Sequence, residues 1–526
     1  MIFPRTRSSS DWVQNSSLIL QGQKKEIFYF SYFWFLSPRW KRLQGQPLQL
    51  MKHQNVATPY DRVAYPSAIF PRTHPDRLAV IALLHGLTPP DIASARTLEM
   101  GCGDGLNLCS LAAAHPQAQF EGFDLSEVAI SRGNELVTSA GLTNIKLSVL
   151  DALQASECYA AASFDYVIAH GLYAWVPGSV REAVMALMGK VLSPHGVGFI
   201  SYNALPGGHL RQIMRDMLLH EIGGADDPEE KIQKVRRFLE TLKVAQENDD
   251  PALTAIRSQA SKMLERPDGV LFHDELGPDY APQSFSAVVA AADKVGLRFL
   301  SDSGRERQLD GFLPDAVPDD GDAEAQIIRT IQTGDYLSMR FFRQTLLVRA
   351  ACRPLRRIDL ARLDQLWMAA HLPRDEEGAF KSGGDRIDVG DETLAGVLDR
   401  LTAHWPDWMQ VRDAIEGRDR RMALLQLFSG NYVDLHTSPP PFNLHCSEVP
   451  CVSPVVRAQL SMQSPMVCCL NHHVLSIDQP ELRALLLAAD GTRTVAELCQ
   501  MTSLGLTASD IQMALEAGAR RALMLA

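Results

Sequence analysis

Apolar runs and stretches of helical spacing alternate along the chain from residue 75 to residue 202. Leu78, Ile81, Ala82 and Leu84 recur at helical intervals behind Pro75, which suits a first helical turn with Thr73 as its N-cap. Arg96 to Met100, with Leu98 and Met100 inside, predicts a short buried strand, and Leu106 to Ala114 a helix. Ala118 to Phe123 alternates into a second strand ending at Asp124, followed by a helix from Glu127 to Ala140. Asn144 to Leu150 reads as a third strand, and the β-branched, aromatic run Phe164 to Ala169 as a fourth. A helix over Val180 to Val191, a turn over Leu192 to Gly196 and a strand Gly198 to Tyr202 complete the series. Strands that alternate with helices predict an α/β fold around a parallel sheet.

Beyond Tyr202 the pattern changes. His209 to Glu221 reads as a helix, and residues 223–280 are charged and helical. Ile232, Val235, Phe238, Leu239 and Leu242 give the helix Glu229 to Val244 an apolar face, and Asp249-Asp250-Pro251 starts another. A helix from Ser284 to Val295 and strands at Leu297 to Asp302 and Arg343 to Arg349 then close the sheet. Residues 223–280 become an insertion, either a helical cap over a substrate crevice or a solvated helical pair. Helices are expected over Leu360 to Ala370, Asp391 to His404 and Ile415 to Leu427, then a proline linker from Thr437 to Phe442. From Pro454 come strand-like pieces, then helices at Glu481 to Ala489, Val495 to Met501 and Ala508 to Leu523. That order suits a winged-helix-like module. Asp510 to Glu516 is acidic, so the module reads as a protein-interaction element and not a DNA reader.

The domain boundaries that follow are 1–50, 51–222, 223–280, 281–352, 353–440 and 441–526. The first segment holds an aromatic run, Ile27 to Leu36, too short to span a bilayer, which needs about 20 apolar residues. It reads as an extension or a mis-called start before Met51. A membrane-touching amphipathic arm is the alternative.

Chemistry gathers at the end of the first strand. Glu99-Met100-Gly101-Cys102-Gly103-Asp104-Gly105 sets glycines at alternate positions between a strand and a helix. A dinucleotide fingerprint is G-x-G-x-x-G. Here the third glycine comes one residue early. E-x-G-x-G-x-G resembles motif I of the class I S-adenosyl-L-methionine (SAM) methyltransferases. That resemblance implies a Rossmann-like seven-stranded sheet with SAM as cofactor. Asp124, nineteen residues after Gly105, stands where an acidic group can accept hydrogen bonds from both ribose hydroxyls, or where it caps the following helix beside Ser126. The resemblance implies an adenine contact for Asp151, which also reads as a turn aspartate. Glu99, Gly101, Cys102, Gly103, Gly105, Asp124, Leu125, Asp151, Ala152 and His170 are the candidate cofactor-binding residues. The end of the fourth strand, at His170-Gly171, should face the methyl group. Tyr173, Trp175, Tyr202 and Asn203 are the candidate catalytic residues for an acceptor pocket, with core packing the other reading for Tyr173 and Trp175.

Asn203 with the Pro206-Gly207 turn, the patch Leu271 to Leu276 and the run Phe341 to Leu347 resemble bacterial methyltransferases with a methyltransferase regulatory domain. That group includes the rickettsial protein lysine methyltransferases. The resemblance covers about Met51 to Ala350. It implies SAM as donor and makes a protein lysine a plausible acceptor, although members of the group need not share one substrate; a small-molecule methyltransferase and a non-catalytic SAM-binding scaffold are the rivals. A segment like Tyr60 to Leu78, ahead of the first strand, can fold over the cofactor as a lid.

Composition adds limits. A hydrophobic share of 46% against 21% charged residues fits a globular chain able to bury a sizeable core. The net charge of −11 argues against nucleic acid as the main partner. Nine scattered cysteines without framework spacing suit a reducing cytoplasm. His445-Cys446, Cys451, Cys468-Cys469 and His472-His473 do not follow a standard zinc spacing, and no metal is assigned.

Overall fold

The computed structural model describes residues 58–244, 250–304 and 321–525. The expectations for residues 1–50 lie outside them. Two helices open the described chain, α1 (Pro59–Arg62) and α2 (Pro75–Leu84). Strands and helices then alternate: β1 (Arg96–Met100), α3 (Leu106–Ala114), β2 (Gln119–Asp124), α4 (Glu127–Ser139), β3 (Ile145–Val149), α5 (Ala152–Cys158), β4 (Phe164–Ala169), α6 (Gly178–Val191) and β5 (Leu192–Asn203). Three helices follow, α7 (Gly207–Ile222), α8 (Pro228–Val244) and α9 (Pro251–Leu264). A single turn, α10 (Asp268–Val270), runs into a π-helical turn over Leu271–Glu275. Then α11 (Phe285–Asp293), β6 (Leu297–Asp302), α12 (Gly321–Leu337) and β7 (Phe342–Arg349) close the sheet.

The sheet has seven strands in the order β3-β2-β1-β4-β5-β7-β6. β7 runs antiparallel to both neighbours, and the other pairings are parallel. The order reverses between β1 and β4, which opens a crevice at their carboxyl ends. Both faces are covered, so the central strands are buried nearly throughout. One face carries α2, whose Leu78, Ile81 and Ala82 pack with Tyr166, Ile168, Phe199 and Leu346. The other carries α6 and α11, with Val184, Leu187, Met188 and Val288 against Val167, Ile200 and Leu347.

Local signals decide the helix ends. His74 caps α2 by accepting from Asp76 N, whereas Thr73 donates its hydroxyl to Phe70 O and caps nothing. Ser126 caps α4 through Ala129 N. The turn expected over Leu192 to Gly196 is part of β5, with a register shift where Phe164 pairs with Leu192 and Tyr166 with Val197. Leu192 and Ser193 are buried, and that packing overrides the turn residues Pro194 and Gly196. Helices α7, α8 and α9 share a small core of Met214, Leu218, Val235, Leu239 and Met263.

The C-terminal third has β8 (Trp367–Ala369), β9 (Phe380–Ser382), β10 (Asp385–Ile387), α13 (Glu392–His404), β11 (Met409–Gln410), α14 (Arg418–Ser429) and β12 (Asp434–His436). It ends with α15 (Pro454–Ser461), β13 (Met466–Cys468), β14 (Val474–Ser476), α16 (Pro480–Ala488), α17 (Val495–Cys499) and α18 (Ala508–Ala519). The helix expected over Leu360 to Ala370 is a 3-10 turn, Leu360–Gln365, followed by β8, which pairs with β11 and β12. The stretch after Pro454 opens with α15, whose Val455 and Val456 are buried against other parts of the chain, and the strand-like pieces follow it as β13 and β14, paired antiparallel. Neither region stands apart: residues of 363–435 join the core around α2, and those of 442–524 join Cys109, Ala113, Leu136 and Ala140 of α3 and α4. Among the described residues no helix is long and apolar enough to cross a membrane.

Candidate functional site

The turn after β1 is held open by its backbone. Gly101, Gly103 and Gly105 have φ of +72°, +57° and +68°, a region costly for residues with a Cβ. A Cβ on Gly103 would meet nothing within 4 Å, so the main chain there lies open to a ligand. The amides of Gly101 and Cys102 donate to Phe123 O at 2.8 and 3.1 Å and tie the turn to the end of β2. The Asp124 carboxylate then accepts from Gly103 N and Ser126 N, both at 2.9 Å. Burial pushes its carboxyl up.

Glu99 is buried at the base of this turn. The Asn107 amide donates to both its oxygens at 3.2 Å and to Thr73 Oγ1 at 3.1 Å. Burial drives the Glu99 carboxyl up to about 8, against that hydrogen bonding. Here too the site closes upon the segment before α2. Asp61 accepts from Ser126 Oγ at 2.7 Å, and Ser67 Oγ bonds Asp104.

These groups line one end of a cleft of about 2700 Å³. Glu99, Gly101, Cys102, Gly103, Asp124, Leu125, Asp151, Ala152 and His170 all face it. Asp151 also caps α5 through Leu153 N at 2.9 Å. Gly105 does not line the cleft: it is the N-cap of α3, where a Cβ would stand 2.6 Å from Leu147. His170 bonds Ser201 Oγ at 2.9 Å and meets the Phe70 ring at 4.2 Å; burial lowers its pKa to about 4, so the imidazole is neutral.

The expected acceptor pocket divides. Trp175 and Asn203 line the cleft, but Tyr173 and Tyr202 do not. Successive residues of a strand point to opposite faces. Asn203 therefore faces the cleft, with Ser201 on the same side of the strand but buried behind His170, while Tyr202 enters the core and bonds Thr345 Oγ1 at 3.2 Å. Tyr173 is buried beside it because the turn closed by Trp175 N to Leu172 O sends Leu172 and Trp175 outward. Asn203 is 2% exposed, and its Oδ1 has no hydrogen-bond partner among the described residues.

Other lining residues come from distant segments. Tyr60 stacks on His273, with ring centroids 4.1 Å apart, and His273 Nε2 donates to Val63 O at 2.6 Å. Arg211 lies over Trp175 at 4.7 Å and is held by Glu275 at 2.6 Å and Asp274 at 3.2 Å. Phe70, Arg72 and Phe342 complete this wall, and Trp408, His436 and His472 extend the lining into the C-terminal third. No periodicity marks these residues. The Leu271 to Leu276 and Phe341 to Leu347 runs were the available signals. Helices α8 and α9 contribute nothing to the lining, and among the described residues of the helical insertion His273 and Asp274 alone reach the cleft.

Comparison with known proteins fits this geometry. A family described as "Methyltransferase domain" matches residues 97–196, and one described as "Predicted methyltransferase regulatory domain" matches 267–349. The uncharacterised protein RP028 of Rickettsia prowazekii is 32% identical over 242 residues, covering 46% of this chain and 96% of that protein. The chain belongs to the class I SAM-dependent methyltransferases that carry a methyltransferase regulatory domain. SAM is the methyl donor of this methyltransferase. A second R. prowazekii protein, the uncharacterised RP789, is 33% identical over 55% of this chain; the chain spans about half of its length, 52%. In fold, the methyltransferase is similar to PKMT2 from Rickettsia typhi, solved in complex with AdoHcy: TM-score 0.71, 22% identity, 88% of this chain and 100% of that one.

Proposed function

We propose that this methyltransferase moves a methyl group from SAM to a lysine side chain of a protein acceptor lying in the open cleft, and that it does so in the cytoplasm. The observation that carries the reading is the cleft's size, about 2700 Å³. Small-molecule pockets run to roughly 300–1,000 Å³. With SAM at one end, the length of cleft that continues past Trp175 and Asn203 suits an extended polypeptide better than a lone metabolite. The nine cysteines are all free, which suits a reducing compartment.

SAM supplies an activated methyl on a sulfonium for direct displacement. The open backbone at Gly103, the buried Glu99 and the half-buried Asp124 suit its ribose and its cationic amino-acid end. Glu99 takes the ammonium, Asp124 the ribose hydroxyls, and Asp151 with Leu125 the adenine side. The incoming amine must shed a proton, and a partly desolvated pocket lowers its pKa. Trp175, Phe70 and Phe342 exclude water there. The orphaned Asn203 Oδ1 accepts an N–H of the amine and aims its lone pair, an orientation worth a large share of the barrier.

The test uses purified protein, methyl-labelled SAM and a cell extract separated into protein, nucleic-acid and small-molecule fractions. Label retained as methyl-lysine after protein hydrolysis is the expected result. Label only in small molecules overturns the acceptor reading. Bound SAM with no labelled product in any fraction points to a scaffold.

A further inference from the structure

The hairpin between β13 and β14 reaches from the C-terminal module to the back of the glycine turn. Its tip folds through Cys469 N to His473 O at 2.8 Å and His472 N to Cys469 O at 3.0 Å. At that tip His472 has a left-handed backbone, φ +57°, and is only 3% exposed. A non-glycine residue in that region marks a place where side-chain contacts outweigh backbone preference.

The contacts are these. His472 Nε2 lies 3.0 Å from Asn107 Oδ1, and His472 Nδ1 lies 3.0 Å from Ser110 Oγ, both on α3. Phe70 N–H, which can only donate, points at the same Asn107 Oδ1 at 2.9 Å and so identifies that atom as the oxygen. The histidine must therefore donate through Nε2 and accept through Nδ1 from Ser110. The Asn107 Nδ2 group is left to face Glu99 and Thr73. One amide thus joins four segments: β1, the segment before α2, α3 and the hairpin tip.

We infer that His472 is a positioning residue for methyl-donor binding: its bond to Asn107 fixes the amide that orients Glu99 toward the donor. The inference rests on the reading that Glu99 and Asp124 hold SAM. Burial holds the His472 imidazole well below its ordinary pKa, in keeping with a neutral, singly protonated ring. The arrangement makes the cofactor site incomplete without the C-terminal module, although no residue of that module takes part in the motif I turn.

The full-length protein tests this by SAM titration and by acceptor kinetics. His472→Asn tolerates the left-handed backbone and retains a polar atom toward Ser110, but is too short to reach Asn107. His472→Gln places an amide nitrogen near the lost Nε2. The expected result is SAM binding about tenfold weaker in His472→Asn, the usual cost of a buried hydrogen bond in a charged network. Acceptor KM stays unchanged, and His472→Gln recovers most of the affinity. Asn107→Ala alone weakens SAM, and adding His472→Asn to it weakens SAM no further. Additive losses, or equal damage by His472→Asn and His472→Gln, overturn the inference, as does unchanged SAM affinity in His472→Asn beside a lost one in Asp124→Ala. Unchanged affinity in Asp124→Ala overturns the cofactor-site reading, and this inference with it.

Discussion

At the scale of single residues, the glycine-turn end of the cleft separates groups that line it from groups that shape the turn. Asp124 binds two backbone amides and still faces the cleft. Asp124→Ala should weaken SAM binding by about 2 kcal/mol, roughly thirtyfold in Kd, from the loss of charge-assisted hydrogen bonds. Gly103→Val should do at least as much, since a β-branched residue at φ +57° is strained and its side chain enters the open side of the turn. Isothermal titration checks both. Glu99 makes a second prediction. Its folded pKa of about 8 lies above the ordinary 4.5, so the stability it contributes is complete below about pH 4.5 and is lost as pH rises through 8. A cationic ligand favours the carboxylate, so SAM binding at pH 6.5 should expel close to one proton. Titration in two buffers of different ionisation enthalpy measures it, and Glu99→Gln should expel none. The cofactor edge was legible in sequence because its residues follow strand ends at fixed distances from one glycine turn. Of the remaining lining, Trp175 and Asn203 were legible from their places after the fourth and fifth strands, whereas Arg211, His273 and Phe342 were not, because they reach the cleft only after folding. Tyr202 does not reach the cleft because adjacent residues of a strand face opposite sides and Asn203 beside it takes the cleft side.

At the scale of elements, the parallel strands were readable because both faces of the sheet are covered and each strand is short, rich in buried apolar residues and set between helical stretches. The errors fall on short pieces. β8 is three residues long and exists through its pairing with β11 and β12, which no local pattern announces. α15 carries Val455 and Val456, good strand formers, and is helical because burial on α3 and α4 outweighs propensity. The π-helical turn Leu271–Glu275 was read only as a patch. Its Glu275 is fully buried between Arg211 and Arg266. Burial opposes the charge, yet the two guanidinium groups hold its carboxyl below the ordinary range. Glu275→Ala should therefore cost about 3 kcal/mol, because it leaves buried positive charge uncompensated. Denaturant unfolding would show it as a lower midpoint. Acceptor KM should rise as well, since Asp274 and His273 in the same turn lose their support.

At the scale of the whole molecule, the C-terminal third is built into the methyltransferase and not appended to it. Cys109, Ala113, Ala114, Leu136 and Ala140, on the helices flanking the glycine turn, are buried in one cluster with Val455, Leu485, Ile511 and Leu523. Removing residues 441–526 would lay that surface bare. A contiguous apolar face on a soluble domain drives association. The truncated chain should accordingly bind a hydrophobic dye, aggregate at concentrations where the full chain stays dispersed, and melt at lower temperature. It should lose SAM binding as well, because α3 loses both its apolar cover and the hairpin that holds Asn107. Light scattering and dye fluorescence on the two chains decide the matter. A truncated chain that stays monodisperse and binds SAM as well as the full chain would mean that α3 and α4 hold the glycine turn unaided. The full-length His472→Asn protein separates the two causes: it keeps the apolar cover and removes only the hydrogen bond. A stable, monodisperse His472→Asn protein with weakened SAM binding assigns the cofactor effect to the hairpin and the solubility effect to the buried face.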